Sequence, residues 1–207
     1  QQPDQPLISF LRQGNLWLMN EDGSDRRQIT ISKGGVQRFA WSPSGQYIAI
    51  LHESRLDLYD VATGEMRDLI DVPGEFPGGR SSYGNVFSWA VDADELMVIF
   101  DDGGTGTFTR VALDGAANDV TTYNRPFACG GMDGPIPIVG LLMAFHEDGS
   151  AFVRGAYEGL IWWTDRDVAY VNTPCFPNIS IDLTSGQVIE YPETAWLAAG
   201  PNGSILI

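Results

Sequence analysis

Apolar and polar positions along residues 38–70 repeat with the period of β-strands rather than helices. Trp41 ends one apolar run and leads into Ser42-Pro-Ser-Gly45. That tetrapeptide is a tight turn, because proline presets φ and glycine supplies φ > 0. Gln46 to Leu51 reads as a second strand, and residues 55–60 alternate as a half-buried third strand does. Ala62-Thr-Gly-Glu65 turns the chain again, and Met66 to Ile70 closes a fourth strand. The stretch predicts one antiparallel sheet of four strands.

The two halves of this pattern return along the chain. The first half recurs as Trp89-Ala-Val-Asp-Ala-Asp-Glu-Leu-Met-Val-Ile99, as Phe145-His-Glu-Asp-Gly-Ser-Ala-Phe-Val153 and as Ala199-Gly-Pro-Asn-Gly-Ser-Ile-Leu-Ile207. The second half recurs as Asn15-Leu-Trp-Leu-Met-Asn-Glu-Asp-Gly23, Phe108-Thr-Arg-Val-Ala-Leu-Asp-Gly115 and Ile179-Ser-Ile-Asp-Leu-Thr-Ser-Gly186. Four-strand units at this spacing predict propeller blades. The expected fold class is all-β, a β-propeller of four-stranded antiparallel blades. About four are expected here, as part of a larger ring.

The residues also carry a family resemblance. Trp41-Ser-Pro-Ser-Gly-Gln-Tyr-Ile-Ala-Ile50, and Gly14-Asn-Leu-Trp-Leu-Met-Asn-Glu-Asp-Gly-Ser24 with Arg27-Gln-Ile-Thr30, resemble the repeat of TolB-type propellers, also called WD40-like or PD40 repeats. The match loosens in the third unit, where Val91-Asp-Ala-Asp94 replaces the Ser-Pro-x-Gly turn, and only Glu147-Asp-Gly149 survives in the fourth. The resemblance implies a scaffold, commonly extracytoplasmic, that binds proteins or sugars or caps a peptidase domain.

In chain order, residues 1–6 are a polar lead and 7–207 a single propeller. Its units are expected at about 7–30, 36–71, 86–123 and 138–191, with another starting at 195–207. The first unit lacks a first strand. In the fourth, Tyr157 to Pro177 reads as an insertion, with an extra hairpin of 160–164 and 168–172 turned at Asp165-Arg-Asp167. The apolar ending Ser204-Ile-Leu-Ile207 would leave an exposed edge strand, which natural proteins avoid. The expectation is therefore further blades past residue 207.

Composition narrows the function classes. With 27 acidic against 12 basic residues, the net charge of −15 argues against nucleic acid, whose phosphates need clustered Lys and Arg. No stretch reaches the ~20 apolar residues of a membrane-spanning helix. The Pro-rich opening Gln1-Gln-Pro-Asp-Gln-Pro6 suits the mature end of an exported protein or a linker after an anchor.

In an up-and-down blade, alternate connections fall on opposite sides. Turns between strands one and two, and between strands three and four, are short. The other side carries the long connections Asp71–Asn85, Asp101–Gly106, Asn124–Pro135 and Tyr157–Pro177. Long loops on a rigid scaffold concentrate function. The candidate contact residues are Phe76, Arg80, Tyr83, Tyr123, Arg125, Asp133, Tyr157, Trp162, Trp163 and Asp165. Neighbours in a strand face opposite sides, so one of Trp162 and Trp163 packs inward and the other is open to a sugar ring or a protein. Cys129 and Cys175 fall on the same side, and a disulfide between them would pin two loops in an oxidising compartment.

Catalytic signals are weak. No Ser or Cys nucleophile has a recognisable neighbouring base, and Gly-x-Ser-x-Gly is absent. The Asp-rich turns lack the ligand spacing of a calcium loop and read as Asx hairpin turns. The sequence thus predicts a non-enzymatic, extracytoplasmic scaffold with a protein partner, no cofactor and no metal. The alternatives are the propeller cap of a serine peptidase or other hydrolase, and a carbohydrate-binding propeller taking a glycan.

Overall fold

The computed structural model describes residues 7–31, 35–52, 55–72, 86–101, 106–123, 142–145, 151–154, 159–162, 164–165, 167–172, 179–190, 198–199 and 205–206. All regular structure among them is β-strand. The chain divides into two compact units, Gln1–Glu75 and Phe76–Ile207.

The first unit holds two sheets. β1 (Leu7–Arg12), β2 (Asn15–Asn20) and β3 (Arg27–Gln28) form a three-stranded meander. β4 (Arg38–Trp41), β5 (Tyr47–Leu51), β6 (Arg55–Asp60) and β7 (Met66–Asp71) form a four-stranded one. Leu16, Leu18, Val36, Ile48, Ile50, Tyr59 and Val61 make its core. A fully buried side chain of this size contributes about 1.5–3 kcal/mol. The alternation in residues 55–60 predicts one wet face, yet Leu56, Asp57, Leu58 and Tyr59 are all buried. The polar member is tolerated because the Arg55 guanidinium pairs with Asp57 and the His52 ring faces it.

The second unit holds two four-stranded meanders. One runs β8 (Val86–Trp89), β9 (Leu96–Asp101), β10 (Gly106–Val111) and β11 (Ala117–Tyr123). β12 (Leu142–Phe145) and β13 (Ala151–Arg154) pair with each other. The other meander is β14 (Gly159–Trp162), β15 (Val168–Asn172), β16 (Ile179–Asp182) and β17 (Val188–Glu190). β18 (Ala198–Ala199) pairs with β19 (Ile205–Leu206). Met97, Ile99, Phe108, Trp162, Ala169 and Ile181 share one core cluster.

This corrects the expected fourth unit. The hairpin placed inside an insertion is instead strands one and two of a regular blade, whose strands three and four are β16 and β17. The decoy was Phe145-His-Glu-Asp-Gly149, whose sequence mimics the repeat's turn, while Phe145 itself ends β12, which pairs with β13. Strand periodicity shows that a segment is extended, not which neighbour it pairs with.

Candidate binding face

Every complete blade is drawn to one template. Trp41 faces Ile48, Trp89 faces Leu96 and Trp162 faces Ala169 across strands one and two. The turn that follows is the same in the first two cases: Ser42 N–H donates to the Tyr47 carbonyl and Ala90 N–H to the Glu95 carbonyl. The hairpins between strands three and four come in two sizes. In the larger, Asp60 Oδ1 accepts the N–H groups of Ala62 and Thr63, and Asp182 Oδ1 those of Thr184 and Ser185. Gly64 and Gly186 close these turns at φ 75° and 72°, where a side chain would be strained. In the smaller, Asp22 Oδ1 accepts from Ser24 N–H and Asp114 Oδ1 from Ala116 N–H. Both Asp22 and Asp182 are held below the ordinary carboxylate pKa, Asp22 by its bonds from Ser24 and Asp182 by those from Ser185.

The two turn types also meet each other. Val61 N–H donates to the Gln46 carbonyl at 2.9 Å, and Leu183 N–H to the Asp167 carbonyl at 2.7 Å. Between blades, Asp92 accepts both the N–H and the hydroxyl of Thr164, and Val91 N–H reaches the Trp162 carbonyl. Asp22, Asp60, Asp92, Asp114 and Asp182 are thus occupied with the chain's own donors. Asp22 makes the Asx turn that the sequence indicated.

The opposite side of the blades differs. There His52 leaves β5, and its Nε2 lies 3.2 Å from Asp57 Oδ2 while Nδ1 faces the Gly35 carbonyl at 3.4 Å. Arg55 forks onto Asp57, with Nη2 donating to Oδ2 at 3.0 Å, and its Nη1 reaches Asp68 at 3.3 Å. The Asp57 hydrogen bond, with the other nearby carboxylates, raises the Arg55 pKa further, so this fork stays charged. A β-bulge follows at the same place in two blades, between Leu56 and Asp57 and between Phe108 and Thr109. It leaves Leu69 and Val120 outside the ladder and turns both into the interior. In the second blade Thr109 Oγ1 donates to Asp119 at 2.7 Å, where the first places the Asp57 cluster.

Of the sequence-derived contact residues, Trp162 is corrected. It is 0% exposed, its indole N–H donates to the Ser88 carbonyl at 3.2 Å, and Arg110 lies over its ring. It packs blade against blade and cannot touch a partner. Asp165 is exposed but sits in the β14–β15 turn, on the short-turn side, because that hairpin opens a blade. Tyr123 closes β11 opposite Gly106. Phe76, Arg80, Tyr83, Arg125, Asp133, Tyr157, Trp163, Cys129 and Cys175 lie outside the described residues. The His52–Asp57–Arg55 cluster was not anticipated. Its signal was a lone aspartate between Leu56 and Leu58 with a cation two residues before.

No protein-family model matches the chain. No curated protein matches it either. Among solved structures it is similar to TolB from Acinetobacter baumannii, at 14% identity and a TM-score of 0.43, over 95% of this chain and 56% of that one. It is similar to an oligogalacturonate lyase from Vibrio parahaemolyticus at 18% identity and 0.46, over 97% and 66%, and to the tricorn protease at 17% and 0.46, over 93% and 22%. The chain therefore spans about half of the TolB structure and less of the protease. The strand order and the shared register above carry the fold assignment. The chain is built from β-propeller blades. Its TolB-like, WD40-like repeat is the one the sequence resembles.

Proposed function

We propose that this propeller scaffold is a non-enzymatic, extracytoplasmic protein that holds a protein partner on the side of its blades opposite the Asx turns. One observation carries the reading. On the short-turn side, Asp22, Asp60, Asp92, Asp114 and Asp182 all accept donors from the chain itself. On the other side fourteen residues, 72–85, connect β7 to β8. They include Phe76, Arg80 and Tyr83, and Cys175 lies between β15 and β16. Aromatic and Arg side chains are the types that anchor protein interfaces. The net charge of −15 favours a partner with a basic patch, chiefly through association rate.

A photo-crosslinking amino acid tests this when placed singly at positions 78 and 175, and at Thr63 and Ser185 as controls, in cells of the source organism. Protein adducts are expected from the first pair. Adducts confined to Thr63 and Ser185, or none at any position, overturn the reading. Fractionating the same cells tests the compartment.

A further inference from the structure

His52 leaves β5 and enters a tight connection to β6, where its backbone N–H donates to the Arg55 carbonyl at 2.8 Å. Its side chain is 14% exposed. Both ring nitrogens face oxygens that can only accept. Nε2 lies 3.2 Å from Asp57 Oδ2, and Nδ1 lies 3.4 Å from the Gly35 carbonyl. A neutral imidazole carries one N–H and one bare nitrogen. It can serve one of these oxygens and turns a lone pair towards the other. The imidazolium carries two N–H groups and serves both.

The two oxygens belong to different parts of the first unit. Asp57 lies in β6, between the buried Leu56 and Leu58. Gly35 lies in the connection that leads from β3 to β4. That connection is fastened at its next two residues. Val36 N–H donates to the Gly14 carbonyl at 2.7 Å, and Gln37 N–H to the Leu51 carbonyl at 2.9 Å. Gly14 and Gly35, at φ 75° and 77°, approach so closely that a Cβ on Gly14 would stand 3.4 Å from the Gly35 Cα. The β1–β2 turn, the β3–β4 connection and the β5–β6 connection thus meet at one corner on the side opposite the Asx turns, and the His52 ring fastens two of them together.

The charged groups around the ring come from several elements. β6 supplies Asp57 and Arg55, whose guanidinium forks onto it. β7 supplies Asp68, 3.3 Å from Arg55 Nη1, and Asp71, which is close enough to act on Arg55. β4 begins with Arg38, opposite Leu51, the residue before His52. Lys33 and Glu53 lie outside the described residues. Arg55 opposes another positive charge at this corner and Asp57 favours it. Three carboxylates against two guanidinium groups leave a net negative charge for an imidazolium to balance.

We propose that His52 is a proton-operated clasp. With a proton taken up from solvent it bonds Asp57 and the Gly35 carbonyl at once, and so holds the β3–β4 connection against β6. When the proton returns to solvent, the bond to Gly35 is lost and that connection loosens. The clasp is therefore closed in acid and opens as pH rises through the range in which histidine changes charge, about pH 5 to 8. It goes beyond the partner reading and does not depend on it.

The test is NMR of the full chain labelled with ¹⁵N, read from about pH 5 to 8. Both ring nitrogens of His52 are expected to carry hydrogen at the acid end, and one of them at the alkaline end. Over the same range the Val36 amide, corrected for the pH dependence of exchange itself, should lose about tenfold in protection, the worth of one hydrogen bond to a charged group. His52→Gln keeps a polar side chain with no charge to change, and should hold Val36 protection level throughout. His146→Gln removes the chain's other histidine and should leave the wild-type response in place. A His52 ring that keeps one charge state over the whole range would overturn the proposal. So would flat Val36 protection in the wild type, or the wild-type response persisting in His52→Gln. If His52→Gln fails to fold, the ring and amide signals of the wild type and of His146→Gln decide.

Discussion

Trp162 and Ser88, 74 residues apart in sequence, are joined by an indole-to-carbonyl hydrogen bond of 3.2 Å inside a fully buried contact. The bond lets a polar ring edge sit in an apolar interior without an unpaired donor. Trp162→Phe is expected to cost about 1–2 kcal/mol, chiefly for the bond and the lost ring area. Trp162→Ala should cost about 3–5 kcal/mol, because it leaves a cavity as well. Urea titration of both variants measures the difference.

The Asp57 carboxylate is 3% exposed and is held by Arg55 and His52. Asp57→Ala would strip a partner from both Arg55 and His52. The expected loss is about 2–4 kcal/mol, less than for a sealed pair because the Arg55 side chain is 43% exposed. Arg55→Met should cost at least as much as Asp57→Ala, since it leaves a carboxylate that is 3% exposed without its guanidinium. Denaturant midpoints of the two variants check the order.

Asp182 is held below its ordinary value of 3.8 by the N–H and hydroxyl of Ser185. A depressed folded pKa adds stability that is present above the unfolded value and lost as pH falls through the folded one. Acid titration of the wild type should therefore lose stability below pH 3.8, the ordinary carboxylate value. Asp182→Asn should show a shallower loss in that window and no change in slope near neutrality.

Gly45 and Gly186 both sit at positive φ, 70° and 72°, but in different surroundings. A Cβ on Gly45 meets nothing within 4 Å, whereas one on Gly186 lies 3.0 Å from Thr121 Oγ1. Gly45→Ala should cost about 1–2 kcal/mol, the backbone strain alone. Gly186→Ala should cost more, and Thr121→Ser, which keeps the hydroxyl, should not restore it. Thermal melts rank them.

The blade with a Trp at 41 was legible because Ser-Pro-Ser-Gly punctuates it, and the one at 89 because the same spacing survives without proline. The blade at Trp162 was hidden. Its turn, Asp165-Arg-Asp167, has neither Pro nor Gly, and an adjacent second tryptophan obscures which one faces in. A better turn at Glu147-Asp-Gly149 drew the repeat to the wrong hairpin. Strand pairing is set by contacts remote in sequence, so local turn chemistry cannot arbitrate between two hairpins. The same holds for the bulges. Leu69 and Val120 read as ordinary strand residues, and nothing in their neighbours' alternation announces that each drops out of register. The Asp turns were readable, because an Asx turn is written within four residues.

Within each blade the ladders join strands that follow one another closely, as in β5 with β6 or β15 with β16. The bonds of Trp162 to Ser88 and of Thr164 to Asp92 span 74 and 72 residues. Loop closure on that scale is slow compared with forming a hairpin. The refolding chain should thus acquire its hairpins early and seat the Trp162 indole late. That makes Trp162 a clock for the late step in which the blades of the second unit lock onto each other.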